Sequence, residues 1–116
     1  MEIKEIVKKI LDRVNQKIED RNKEYKRTVQ VLPPKDILSY KQKIFVCLSE
    51  LQIYLLIRDK LLTIDSDNLE HIQLMLFKDL LPECATRYQV SIIQAINSDI
   101  DKIKDGKDLD VIKVTI

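Results

Sequence analysis

The residues equipped for chemistry are few: one histidine, His71, two cysteines, Cys47 and Cys84, five serines and a single glycine, Gly106, in 116 residues. A lone histidine rules out, within one chain, zinc sites that need paired imidazoles, HExxH among them. The cysteines lack CxxC spacing and are too few and too far apart for a metal motif or a disulfide framework. A nucleophile pair of Cys84 and His71 needs an activated thiolate and an oxyanion hole, and nothing flanking either residue supplies them. Both cysteines are therefore read as buried thiols and His71 as a solvated side chain. One glycine is too few for a Walker A loop or a GxGxxG turn, where several residues without Cβ must approach phosphate. None of Ser39, Ser49, Ser66, Ser91 and Ser98 sits in a GxSxG elbow.

The acidic residues fit no site either. In the stretch DIDKIKDGKDLD, placing Gly106 at the sixth position of a calcium loop puts Asp101 first and Asp105 fifth. It also puts Ile103 third and Ile112 twelfth, where oxygen ligands are required. Asp99 and Asp101 lie two apart on a helix and point in different directions, which disfavours paired acid–base work. No inward-facing ExxH or ExxxD cluster is evident. The expectation is a non-enzyme with no catalytic residue, cofactor, metal or small-molecule substrate.

Net charge is +1, so the whole chain exerts no attraction on nucleic acid or acidic membranes. The distribution is uneven: nine bases against six acids up to Arg27, then eight acids against four bases from Thr63 to Asp105. Lys9, Arg13, Lys17 and Arg21 on the first helix could follow a phosphate backbone, and a dimer would double that charge. Against this, acids dilute the bases, no aromatic residues interleave them for stacking, and no helix-turn-helix pattern appears. Nucleic-acid binding is the second hypothesis.

These side chains need elements to position them. The length suits one domain, burying somewhat under roughly 70% of the unfolded surface. The longest apolar stretch, Ile44 to Ile57, contains Ser49, Glu50 and Gln52 and falls short of the ~20 residues a bilayer requires. The N-terminus mixes acids and bases within its apolar pattern, unlike a cleavable signal peptide, so a cytoplasmic address is expected. From Glu2 to about Val29, Ile3, Ile6, Val7, Ile10, Leu11, Val14, Ile18 and Tyr25 share one face of a helix. Lys9, Arg13, Glu19 and Lys23 hold the other. Pro33 and Pro34 then force a short turn into a second helix, Ile37 to Leu62, antiparallel to the first.

Asp67, with Glu70 three residues on, is the expected cap of a third helix whose main face is Leu69, Ile72, Leu76 and Leu80. Pro82 either kinks that helix or begins a fourth, and a new helix is the preferred reading. From Glu83 to Lys104, Ala85, Ile92, Ile93, Ile96, Ile100 and Ile103 share a face, with Asp99, Asp101 and Lys102 outside it. Gly106 suits a left-handed cap. Residues 107–116 read as a short extended tail with Ile112, Val114 and Ile116 on one side. That tail would pair as a strand with a second copy or another sheet edge, or else drop onto the bundle as an irregular end.

The second helix is the most informative element. Ile44, Leu48, Leu51, Leu55 and Leu62 form one narrow stripe, while Val46, Ile53 and Ile57 fall roughly opposite. A helix with two apolar sides must be covered twice. The expected fold is all-α, an antiparallel bundle of three to four helices over residues 1–106 with the second helix in its middle. Val46, Ile53, Ile57, Leu74, Phe77 and Leu81 either complete its core or form a partner interface. The expected function is a non-enzymatic protein-protein interaction module of the inhibitor, immunity, adaptor or phage/virus accessory type, self-associating as a homodimer. That list of types is analogy by size and architecture.

Overall fold

The computed structural model describes residues 2–30 and 37–109. The described residues form four helices in order: α1, Ile3–Gln30; α2, Ile37–Thr63; α3, Leu69–Leu80; and α4, Arg87–Lys104, with a 3-10 turn at Leu81–Glu83 between the last two. The fold is the all-α antiparallel bundle that the periodicity predicts. Between α1 and α2 the direction is fixed by cross-helix contacts whose numbers rise on one helix as they fall on the other. Lys17 meets Tyr54, Arg21 meets Glu50, and Glu24 meets Lys43. The proline turn joining these helices and the apolar tail residues Ile112, Val114 and Ile116 lie outside the described residues.

α2 and α4 each touch all three other helices, and the most extensive packing is that of α2 on α1. The core gathers Ile6, Ile10 and Val14 of α1, Ile53, Ile57 and Leu61 of α2, Ile72 and Leu76 of α3, and Ile93, Ile96 and Ile100 of α4. α1 and α2 are each about 40 Å long at 1.5 Å per residue. They outrun the 12-residue α3 and the 18-residue α4 and give the molecule its 52 × 29 × 20 Å shape.

Side chains set the helix ends. α3 is capped by Asn68 rather than the expected Asp67: Asn68 Oδ1 accepts from the His71 N–H at 3.2 Å, while Ser66 Oγ accepts from the Asn68 N–H at 3.1 Å. The Ser66 turn therefore moves the start one residue on. Pro82 does open a separate segment, but that segment is only the 3-10 turn, and α4 starts four residues later than the expected Glu83. Thr86 caps it, accepting from the Gln89 N–H at 3.3 Å, and Gln89 Oε1 reaches back to accept from the Ala85 N–H at 2.6 Å. Thr-x-x-Gln is a capping-box sequence, here reaching one residue further back than usual. Gln89 is 1% exposed and its Nε2 also donates to the Ser49 carbonyl at 2.9 Å, tying the start of α4 to α2.

At the other end Gly106 has φ +73°. Its N–H donates to Ile103 O and the Lys107 N–H to Lys102 O, the paired bonds of a Schellman cap. Leu109 then packs against the core.

One expectation is corrected by burial. Ile53 and Ile57 are 0% exposed and belong to the core, not to a partner interface. They face inward because α1 and α4 pack on α2, whereas of the Ile44–Leu62 stripe Leu48 and Leu62 are exposed and Ile44, Leu51 and Leu55 half-buried. Phe77 is half-buried against the same core.

Candidate functional site

The inward face of α1 changes character along its length. Up to Ile18 it is apolar; beyond, Asp20, Glu24 and Thr28 are the buried residues. The bases Arg13, Lys17 and Arg21, grouped with Lys9 as a phosphate-binding set, meet acids and aromatic surface here. Arg13 Nε donates to Asp99 Oδ2 of α4 at 2.8 Å, with side chains only 11% and 8% exposed. Arg13 thus leaves the outward face assigned to it, and Asp99 lies inside the bundle rather than outside. Arg21 bridges Asp20 and Glu50. Glu24 takes Arg27 at 2.6 Å and Lys43 at 3.7 Å. Of the four bases, Lys9 is the one classed as exposed.

Lys17 Nζ lies 5.7 Å over the Tyr54 ring. Burial lowers its pKa, helped by the Arg13 charge. Burial also pushes the Tyr54 phenol from 10 up to about 12, with Glu50 adding in the same direction. Between those two values the unfolded phenol loses its proton while the folded one keeps it, so stability falls as pH rises, by up to about 2–3 kcal/mol in total. Lys17 acts oppositely: its lowered pKa costs stability at neutral pH, and that cost vanishes above 10.5. Tyr54→Phe isolates the first effect. Urea midpoints at pH 9.5 and 11.5 should drop more steeply for the wild type than for the variant, and a 295 nm titration should lose a component centred near pH 12. Equal drops would mean the phenol is solvated.

The groups tested for nucleophilic chemistry stay apart. His71 is exposed in the first turn of α3, whereas Cys84 follows the 3-10 turn beyond its far end, about 18 Å away along a 12-residue helix. Burial pushes the thiols of both Cys47 and Cys84 up, and Cys84 Sγ donates to Leu80 O at 3.4 Å. Cys47 is buried as expected, Cys84 only half so. Among the described residues no group of three or more His, Cys, Asp or Glu side chains is placed to hold a metal ion, and no helix is long and apolar enough to cross a membrane.

The exposed apolar surface is concentrated on α2. Ile37 is 59% exposed, Leu38 67%, Phe45 57%, Leu48 43% and Leu62 65%. The stripe obeys a stricter rule than a general amphipathic face. Ile37, Ile44, Leu48, Leu51, Leu55 and Leu62, with Lys41 and Arg58 filling the two gaps, are spaced by alternating steps of four and three. That is the a/d spacing of a coiled-coil seam. Leu51 and Leu55 also lean on the bundle core, so the seam is partly supported from beneath.

This chain matches no family model, no curated protein and no solved structure. The surface must therefore be judged on its own geometry. Of the residues expected at an interface, Leu74 and Leu81 are 60% and 45% exposed on the α3 side, and Val46 is half-buried. As interface residues, sequence reasoning missed Ile37, Leu38, Phe45, Leu48 and Leu62. The alternating four-three spacing was the available signal for Ile37, whereas Leu38 and Phe45 flank the stripe and are found only once the covered side of α2 is known.

A shallow cleft of about 240 Å³ opens between the start of α1 and the loop after α2, floored by Ile3, Val7, Leu11, Leu61, Ile64 and Ile72. Lys4, Lys8, Asp65 and Asp67 stand at its rim. It lies below the roughly 300 Å³ at which small-molecule sites begin.

Proposed function

We propose that this chain is a non-enzymatic protein-binding module whose docking surface is the outward stripe of α2. The observation that carries the reading is that five large apolar side chains of one helix, Ile37, Leu38, Phe45, Leu48 and Leu62, are exposed, with Leu51 and Leu55 half-buried between the last two. Exposed apolar residues scattered singly are ordinary, but several gathered on one element mark an association surface. The inward pairing of Arg13, Lys17 and Arg21 with acids and an aromatic ring leaves the rival nucleic-acid reading with little support. An inhibitor, immunity, adaptor or phage/virus accessory role, acting in the cytoplasm, is consistent with a bundle that works by occupying another surface.

Capture on immobilised chain tests the reading. Wild-type protein should retain a polypeptide, either another copy or a different protein, that Phe45→Glu/Leu62→Glu does not. Both substituted positions are more than half exposed, so the variant should keep its fold. Identical retention by the two, or none by either, would overturn the proposal.

A further inference from the structure

We infer that the tail after α4 folds back over the cleft at the foot of the bundle, with the side chains of Ile112 and Val114 set between the start of α1 and the loop after α2. The inference is independent of the exposed α2 side chains and gives a different surface its occupant, a segment of the same chain. Three observations point to that segment.

The first is where the described chain ends. α4 runs alongside α2: Gln89 meets Ser49, and ten residues on Asp99 meets Arg13, one turn before the Lys17 that lies over Tyr54. It runs against α3, since Gln73 bonds both Asn97 and Asp101. The end of α4 is therefore level with the start of α1, the end of α2 and the start of α3, the same three elements that line the cleft. The Schellman cap at Gly106 turns the chain out of the helix, and Leu109 lies back on the core. Residues 110–116, extended at roughly 3.3 Å each, reach about 23 Å. The molecule is only 29 × 20 Å across, so a chain leaving the core at Leu109 reaches either edge of the bundle end.

The second is size and lining. Cutting one core leucine back to alanine leaves a cavity on the order of 150 Å³. The cleft, at about 240 Å³, therefore takes one or two branched side chains rather than a drug-sized ligand. Ile3, Val7, Leu11 and Ile64 on its floor are each only partly buried against the core. Ile112 and Val114 are the first two side chains on the apolar side of the tail, and alternation brings both to one floor.

The third is charge. Lys4 and Lys8 stand on the α1 rim and Asp65 and Asp67 on the loop rim, and among the described residues none of the four is in an ion pair. An anionic amphiphile would bring its head to two carboxylates as well as two ammonium groups. The tail carries one charge of each sign, Asp110 and Lys113, and covers the floor while every rim charge stays in water.

Methyl NOE spectroscopy on the full chain tests the strap, with wild type compared against Val114→Asp. The expected result is a set of cross-peaks from the Ile112 and Val114 methyls to those of Val7, Leu11 and Ile64, unchanged on dilution and absent when labelled and unlabelled chains are mixed and filtered for contacts between molecules. Val114→Asp should abolish the Ile112 cross-peaks and shift the Val7 and Ile64 methyls, while the Ile53 and Ile93 methyls stay in place because the core is untouched. Tail methyls that resonate as in the urea-unfolded chain, with no cross-peaks to α1, overturn the inference. So do Val7 and Ile64 shifts that ignore Val114→Asp. Cross-peaks found only between molecules would give the cleft to the tail of a second copy, and cross-peaks to Phe45 and Leu48 would lay the tail on α2; either overturns it.

Discussion

Ile53→Asp should leave this chain without a stable fold. Ile53 is 0% exposed at the centre of the bundle, in one core cluster with residues from all four helices. Removing a buried isoleucine side chain alone costs about 2–5 kcal/mol. The substitute adds a carboxylate with no partner, which must either stay ionised away from water at a cost of several kcal/mol or take up a proton at neutral pH. The sum approaches the roughly 5–15 kcal/mol that holds a domain of this size together. Far-UV circular dichroism and a urea titration at pH 7 check it: the expected variant has lost most of its helicity and its cooperative transition. A folded variant with an altered mass would place Ile53 on an outer surface and exchange the two sides of α2. Leu48→Glu, on the opposite side of the same helix, should leave the urea midpoint nearly unchanged, so the two substitutions together report which side is core.

The contrast shows what the sequence could carry. The all-α class, the C-terminal end of α2 within one residue and the Gly106 cap follow from local rules, since proline, glycine and a 3.6-residue period act within a few positions of themselves. Which side of α2 faces inward is not local. Both sides offer three or more branched side chains, and the choice depends on where α1 and α4 lie. The denser stripe, Ile44 to Leu62, is the less covered one, with Leu48 and Leu62 exposed and Leu51 and Leu55 only leaning on the core. The same limit hides the charged interior of α1. Arg13 and Asp99 each read as surface residues on their own helices, and 86 positions separate them. Only the packing of α1 on α4 brings them to 2.8 Å. At α4 the signal was present and unread: Thr86 and Gln89 have capping-box spacing, and they, not Pro82, set where the helix begins.

That buried pair gives the second large effect. Asp99→Ala should destabilise the fold by about 3–5 kcal/mol, more than truncation of an exposed carboxylate, because the Arg13 guanidinium stays behind, nearly nine-tenths covered, with its partner gone. Lys17 shares the loss: Asp99 is one of the charges holding its pKa up against burial and Arg13, so without it the ammonium becomes harder to keep. Arg13→Leu should cost a comparable amount by stranding Asp99. The double variant Arg13→Leu/Asp99→Leu should lose less than either single change, since two apolar side chains of similar bulk remove both desolvation penalties together. Urea midpoints for the four proteins provide the cycle, and the predicted coupling exceeds about 2 kcal/mol, well above the few tenths typical of exposed pairs. Raising salt should erode it little, because covered charges are poorly screened. Coupling below about 0.5 kcal/mol, or one that disappears in salt, would mean that water reaches the pair and that α4 is held on α1 by its isoleucines alone. If the coupling is as large as expected, the ion pair contributes placement rather than net stability: an α4 displaced by one turn along α1 keeps an isoleucine face on the core, but leaves Arg13 and Asp99 each buried without the other.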